Sequence, residues 1–288
     1  MDLSDKEWGI VLAGGGGKGS YQIGVMRALE EMGIMDYVTA ISGSSVGALN
    51  AILYAYGEVK LAMDVWEEIS PRQFLGISPE MIDLKEGLVK RDGLNDIFDK
   101  YIDFDRIRMN EKTVYANVTD YGPDGKSAPK SRYLRLNYRP VEEIRDILLA
   151  SSALPIIYEP IRIDGNVCRD GGLTDNLPIA PLYIEGIRNF IVVGLSKNTD
   201  IPYEKYADAE FILIKPKQDI GEFWDGTQDF TSEGAKVRME IGYIDAIREL
   251  DKSAYDKIKF DEKYRYLEST IQKEIDQINN LMNKYTGE

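Results

Sequence analysis

The 288-residue chain contains no histidine. That absence alone removes the Ser-His-Asp triad, every Cys-His pair and every imidazole metal ligand from consideration. Cysteine is nearly absent as well. Cys168 stands alone, so no internal disulfide can form and no Cys-x-x-Cys or Cys/His cluster exists to hold zinc; a reducing compartment fits best. The acidic spacing of an EF-hand is also missing, and no cofactor or metal is expected. Positive charge is scarce: 35 Lys and Arg against 49 Asp and Glu leave a net charge of −14 and a pI near 4.7. So acidic a chain lacks the clustered cations from which nucleic-acid binding draws its affinity. The same balance disfavours steady attachment to anionic lipid, so any membrane-surface contact is expected to be transient and made through a local patch. No window reaches the roughly 20 apolar residues of a membrane span. Met1 to Glu7 lacks the basic and then apolar signature of a secretion signal. These absences predict a soluble, cytoplasmic chain that is at most peripheral at a membrane, and they assign no oligomeric state.

What is present suffices for one large domain, since 43% of the residues are apolar and the length permits a substantial core. Trp8 to Ala13 is a short apolar run that ends in glycines, and Ser20 to Met32 then places Tyr21, Val25, Leu29 and Met32 at helical spacing. Val38 to Ile41 reads as a second strand, and Val46 to Tyr56 as a helix apolar nearly all round. Further strand-like runs are Thr113 to Val118, Tyr133 to Leu136, Phe190 to Leu195 and Phe211 to Ile214. This alternation predicts an α/β fold of three layers, doubly wound, with a mainly parallel sheet and helices on both faces. Tyr121 to Pro129 is turn chemistry between two strands, and Asp164-Gly165 is a hairpin turn between Ile161-Arg162-Ile163 and Val167-Cys168. Residues 1–250 are expected to form the main domain. Residues 251–288 read as a charged helical extension, with Leu267, Ile271, Ile275, Ile278 and Met282 forming a stripe that packs on the same domain, the alternatives being a dimer seam or a membrane-facing cover.

Two glycine motifs sit between strand and helix. Gly14-Gly15-Gly16-Gly17-Lys18-Gly19 satisfies GxGxxG, yet the second strand leads into Ser42-Gly43-Ser44 where a dinucleotide site needs an acid. A P-loop is a poorer match, because Lys18 is followed by Gly19. Two readings stay open for this loop: a tight turn that permits close packing, or an oxyanion hole whose backbone N–H groups face an anion at a helix N-terminus. Gly43-Ser44-Ser45-Val46-Gly47 fits the strained strand-to-helix elbow of a serine nucleophile, or else a place where small residues let a helix pack closely. Both motifs fall at the carboxyl edge of one sheet, where α/β proteins bind ligands. With no imidazole available, a base for Ser45 has to be a carboxylate or another residue type. Asp170-Gly171-Gly172 stands out, since two glycines after an acid let the backbone turn, although an ordinary Asp-Gly turn has the same composition.

In four blocks the chain resembles the patatin-like phospholipases. They are Leu12 to Gly24, Ile41 to Asn50, Ala150-Ser151-Ser152-Ala153-Leu154-Pro155, and Asp170 to Pro178. The resemblance implies a Ser-Asp dyad with Ser45 as nucleophile and Asp170 as general base and acid. It also implies an oxyanion hole from the amides of Gly15, Gly16 and Gly17. Gly14, Lys18, Gly19, Gly43, Gly47, Gly171 and Gly172 then complete the motifs, and residues 1–250 become the catalytic domain. The implied activity is a serine hydrolase of lipid carboxylic esters, of phospholipase A, lysophospholipase or esterase type. A carboxylate base predicts an acidic limb of activity below about pH 5.5 unless burial raises it. Candidate walls of a lipid pocket are Leu154, Ile156, Ile157 and Tyr158, with Phe223 and Trp224 as lid residues. The rival readings are a non-catalytic scaffold of the same fold and a nucleotide-binding oxidoreductase.

Overall fold

The computed structural model describes residues 6–68, 92–155, 158–221 and 232–252. The C-terminal stripe from Leu267, the lid candidates Phe223 and Trp224, and Ile156 and Ile157 lie outside the described residues. Strand β1 (Trp8–Leu12) is buried along its whole length and leads through the glycine turn into α1 (Ser20–Glu31). Next come β2 (Val38–Ser44), α2 (Val46–Tyr56) and α3 (Val59–Glu68). Then follow α4 (Asp92–Tyr101), α5 (Phe104–Arg108), β3 (Thr113–Asp120), β4 (Lys130–Arg135) and α6 (Val141–Ser151). The hairpin strands β5 (Ile161–Ile163) and β6 (Asn166–Asp170) precede α7 (Ala180–Ile184), β7 (Asn189–Val193), β8 (Glu210–Ile214) and α8 (Ser232–Leu250).

These strands form one sheet in the order β5-β6-β3-β2-β1-β7-β8, with β4 paired to the far edge of β3. From β3 through β2, β1 and β7 to β8 the pairing is parallel, while β4 and β6 pair antiparallel with β3, and β5 with β6. The expectation of a mainly parallel sheet therefore holds, with five of the eight strands in the parallel run, and β4, β5 and β6 add an antiparallel edge beyond it. Asp164 (φ 49°) and Gly165 (φ 81°) both take the left-handed region that a two-residue hairpin turn demands.

The two faces are unequal. Ile10, Leu12, Ile41 and Val193 face the large core under α1, α2, α3, α4, α6 and α8. Val11, Ala40, Phe190 and Val192 face a smaller one, closed by Ile179, Leu182, Ile187 and Ile201 around α7. Alternation along each strand divides its side chains between these layers, as buried parallel strands require. Among the described residues no helix is long and apolar enough to cross a membrane.

Helices α1 and α8 cross with their backbones in contact. A side chain at Gly24 would overlap the Met239 carbonyl, and one at Gly242 the Tyr21 carbonyl. Gly24→Ala is expected to destabilise the fold by about 1–3 kcal/mol through overpacking. Urea unfolding should show a lower midpoint with an unchanged m value.

Candidate active site

Strand β3 decides where the site lies. Its residues Tyr115 to Asn117 pair with both β2 and β4, and Val118 to Asp120 with both β6 and β4. Since β4 occupies one edge throughout, β2 and β6 must share the other. Along that edge β2 runs up to Ser44, opposite Asn117, and β6 runs the other way to Asp170, opposite Val118. Two strand ends thus meet head to head, and the residues emerging there are Ser45 and Asp170.

Ser45 sits between β2 and α2 with φ 55° and ψ −126°, a positive-φ backbone rare for a residue with a side chain and expected of a nucleophile elbow. The turn is tight enough that a Cβ on Gly43 would overlap the Gly47 carbonyl, and one on Gly47 the Leu12 carbonyl. Ser45 Oγ donates a 2.7 Å hydrogen bond to Asp170 Oδ2. The other carboxylate oxygen, Oδ1, accepts the Gly172 N–H at 2.8 Å, so Asp170 caps the short turn Gly171–Leu173 that follows it. Below the site, the Ser45 N–H donates to Ser151 Oγ (3.0 Å), which donates to the Asn117 carbonyl (2.7 Å). Thr119 Oγ1 donates to the Asp170 carbonyl at 2.8 Å.

The glycine loop passes directly over this junction. A side chain on Gly14 would come within 2.9 Å of Ser45 Cβ. Asn176 brackets Gly14, accepting its N–H through Oδ1 and donating through Nδ2 to its carbonyl, each at 3.1 Å. Gly16 to Gly19 form a 3-10 turn in which the Lys18 N–H donates to the Gly15 carbonyl. None of the loop, turn and cap backbone hydrogen bonds among the described residues has the Gly15, Gly16 or Gly17 amide as its donor. The two ends of the loop are held by polar side chains from the buried helices. Gln22 Nε2 donates to the Ala13 carbonyl (2.8 Å), and Asn50 Nδ2 to the Gly19 carbonyl (2.9 Å) and to Gln22 Oε1 (2.7 Å). Trp66 Nε1 donates to Asn50 Oδ1 at 2.9 Å. Lys18 reaches away to the Gly221 carbonyl at 3.2 Å and lines a polar cavity of about 210 Å³ with Ser196, Lys197, Asn198, Gln218 and Asp219.

Electrostatically the carboxylate stands out. Asp170 is 2% exposed, and burial pushes it from its ordinary value of 3.8 up to about 6, against the opposing pull of the Ser45 hydroxyl and the Gly172 N–H. Burial thus moves the expected acidic limb above the pH 5.5 bound set by the sequence. Asp175, the other acid of the motif, is occupied elsewhere: its oxygens accept the Tyr133 hydroxyl at 2.7 Å and the Leu177 N–H at 3.0 Å. Among the described residues no group of three or more Asp, Glu, Cys or His is arranged to hold a metal. Asn117, Ser151, Gln22, Asn50, Trp66 and Asn176 are the polar residues whose roles motif reading missed. The available signal was a polar side chain inside an otherwise apolar helix or strand, as at Gln22 and Asn50.

A family model, Patatin-like phospholipase, matches residues 10–183, more than half of the chain and every residue of this junction. The chain belongs to the patatin-like phospholipase family. Relatives include Lysophospholipase NTE1 of Cryptococcus neoformans var. neoformans serotype D, 28% identical over 214 residues, or 72% of this chain and 12% of that protein. Lysophospholipase NTE1 of Saccharomyces cerevisiae is 25% identical over 272 residues, 87% of this chain and 14% of that protein. The chain therefore spans only about an eighth of the length of these patatin-family relatives. Among solved structures, VipD from Legionella pneumophila aligns over 86% of this chain and 67% of its own, with a TM-score of 0.46 and 16% identity.

Holding Asp170 ionised in this site costs stability. The folded protein retains its proton to about pH 6 and the unfolded chain to near pH 4, so the folded state binds more protons across that window and stability falls as pH rises through it. Asp170→Asn can keep both hydrogen bonds through its amide. Near pH 8 it should be more stable than the parent by on the order of 3 kcal/mol, with the difference disappearing below about pH 4. Urea titrations at the two pH values check this.

Proposed function

We propose that this chain is a lipid acyl hydrolase working through a Ser45-Asp170 dyad. The observation that carries the reading is the 2.7 Å Ser45–Asp170 hydrogen bond at a buried junction of strand ends. Asp170 takes the hydroxyl proton as Ser45 Oγ attacks an ester carbonyl. The amides of Gly15, Gly16 and Gly17 receive the developing oxyanion, assisted by the short helical turn they begin. Protonated Asp170 then gives its proton to the leaving alcohol, and water repeats the sequence on the acyl-enzyme. A carboxylate is a weaker base than imidazole, so the oxyanion donors bear much of the rate enhancement, and esters are favoured over amides.

Family membership and the lysophospholipase relatives favour fatty acyl esters of glycerolipids as substrates. The apolar lining nearest Ser45 lies beside α2 and is nearly closed, about 30 Å³, so an acyl chain would enter only by parting its walls: Val46, the residue after Ser45, lines it with Leu49 and Leu53, facing Trp66 of α3 and Leu94 and Phe98 of α4. Val46, Leu49 and Leu53 form one helical stripe about 10 Å long. Tyr158 is buried and Leu154 half-buried, and neither borders this cavity. The net charge of −14 opposes steady attachment to an anionic membrane surface, so contact with lipid is brief, on the cytoplasmic side and through a local patch.

A fluorophosphonate should add to Ser45 of the folded protein and leave Ser45→Ala unlabelled. A folded parent that takes no adduct would favour the scaffold reading. Asp170→Asn is expected to lose about 100-fold or more in kcat. Leu53→Phe should shift preference among aryl esters toward shorter acyl chains while leaving short-chain kcat/KM nearly unchanged.

A further inference from the structure

We infer that Asn117, acting with Ser151, is the positioning residue that sets the separation of Ser45 and Asp170; the inference rests on the hydrolase reading above. Asn117 occupies the last position of β3 that pairs with β2, and Val118, its neighbour, pairs with Asp170. It is therefore the backbone step at which one edge of β3 passes from the strand of the nucleophile to the strand of the base.

Two of its groups make three hydrogen bonds at that junction. Its carbonyl accepts the Ser151 hydroxyl at 2.7 Å, and Ser151 Oγ accepts the Ser45 N–H at 3.0 Å, which ties Asn117 to the elbow. Its side-chain Nδ2 donates to the Gly171 carbonyl and to the Asp175 carbonyl, each at 2.8 Å, which ties it to the turn that aims Asp170. Gly171 lies so close that a side chain there would overlap the Asn117 carbonyl. Both residues are fully buried, and Ser151 ends α6, so the strap is anchored in a packed helix.

The other side-chain polar atom argues that the amide serves the site and not the packing. Asn117 Oδ1 is buried with no partner among the described residues, a cost to stability that an apolar residue of similar shape would avoid. What the amide supplies in exchange is one nitrogen shared by two carbonyls of the Asp170 turn. Misplacement of a reacting pair by about 1 Å can cost on the order of 100-fold in rate, so a tie to both partners acts on turnover before it acts on binding.

The test compares Asn117→Ala and Ser151→Ala with the parent, using a soluble short-chain aryl ester and fluorophosphonate titration of active sites. The expected result is that kcat per titrated site falls about 10- to 100-fold, KM stays within about twofold, and labelling goes to completion more slowly. A purely structural role would reduce the fraction of titratable protein and leave kcat per site unchanged; that result in both variants overturns the inference. If Asn117→Ala yields no folded protein, the kcat per site of Ser151→Ala, which loses a single hydroxyl, decides alone. A parent that takes no adduct at all counts against the hydrolase reading, whereas an active parent with unaffected variants counts against the positioning role only.

Discussion

The arrangement everything else depends on is the shared edge of β3. A parallel strand and an antiparallel strand reach the same edge from opposite directions and stop at adjacent residues, Asn117 and Val118. Backbone pairing locates both strand ends, so the sheet brings Ser45 and Asp170 to neighbouring positions, and the side chains of Asn117 and Ser151 tie the elbow and the Asp170 turn to that register. Helix α2 departs from one end and the Gly171–Leu173 turn from the other. The glycine loop from β1 closes over both. Its own two ends are held by Gln22 and Asn50, whose relay to Trp66 lies in the core.

The same junction explains how a chain without histidine can be equipped for proton transfer. An exposed carboxylate would be too weak a base near neutral pH. Here burial raises Asp170 to about 6, while only the Ser45 hydroxyl and one backbone N–H hold it down. Asp175 is also buried enough to be raised, yet Tyr133 and the Leu177 N–H engage it away from Ser45. One motif thus supplies two acids whose surroundings differ, the first facing Ser45 and the second closing a turn. On the proposed hydrolase reading, the stability given up at Asp170 is the usual companion of a tuned catalytic group.

Much of this was legible in the sequence, for reasons that are local. Glycine clusters between strand and helix, the isolated Ser45 elbow and the Asp164-Gly165 turn all have signatures a few residues long. The strand boundaries that matter most did not. Ser42, Gly43 and Ser44 have little strand propensity, yet β2 continues through them because β1 and β3 pair on either side and Ser42 Oγ finds the Pro178 carbonyl at 2.6 Å. Likewise β6 runs past Cys168 to Asp170 because β3 offers a free edge there. Asn117 was hidden for the same reason: its partners lie 54 and 58 residues away, and no local pattern marks a residue as the point where an edge changes hands. The upward shift of Asp170 was equally out of reach, since it depends on burial that only the assembled sheet provides.

The central claim is that a buried aspartate, unaided by any imidazole, is the base for Ser45. The most direct measurement is the pH dependence of kcat/KM for a soluble ester, taken at two temperatures. The account predicts a single acidic limb with an apparent pKa of about 6 and the small temperature dependence of a carboxyl group. A rate that stays level down to about pH 4, where an exposed aspartate would titrate, would contradict it.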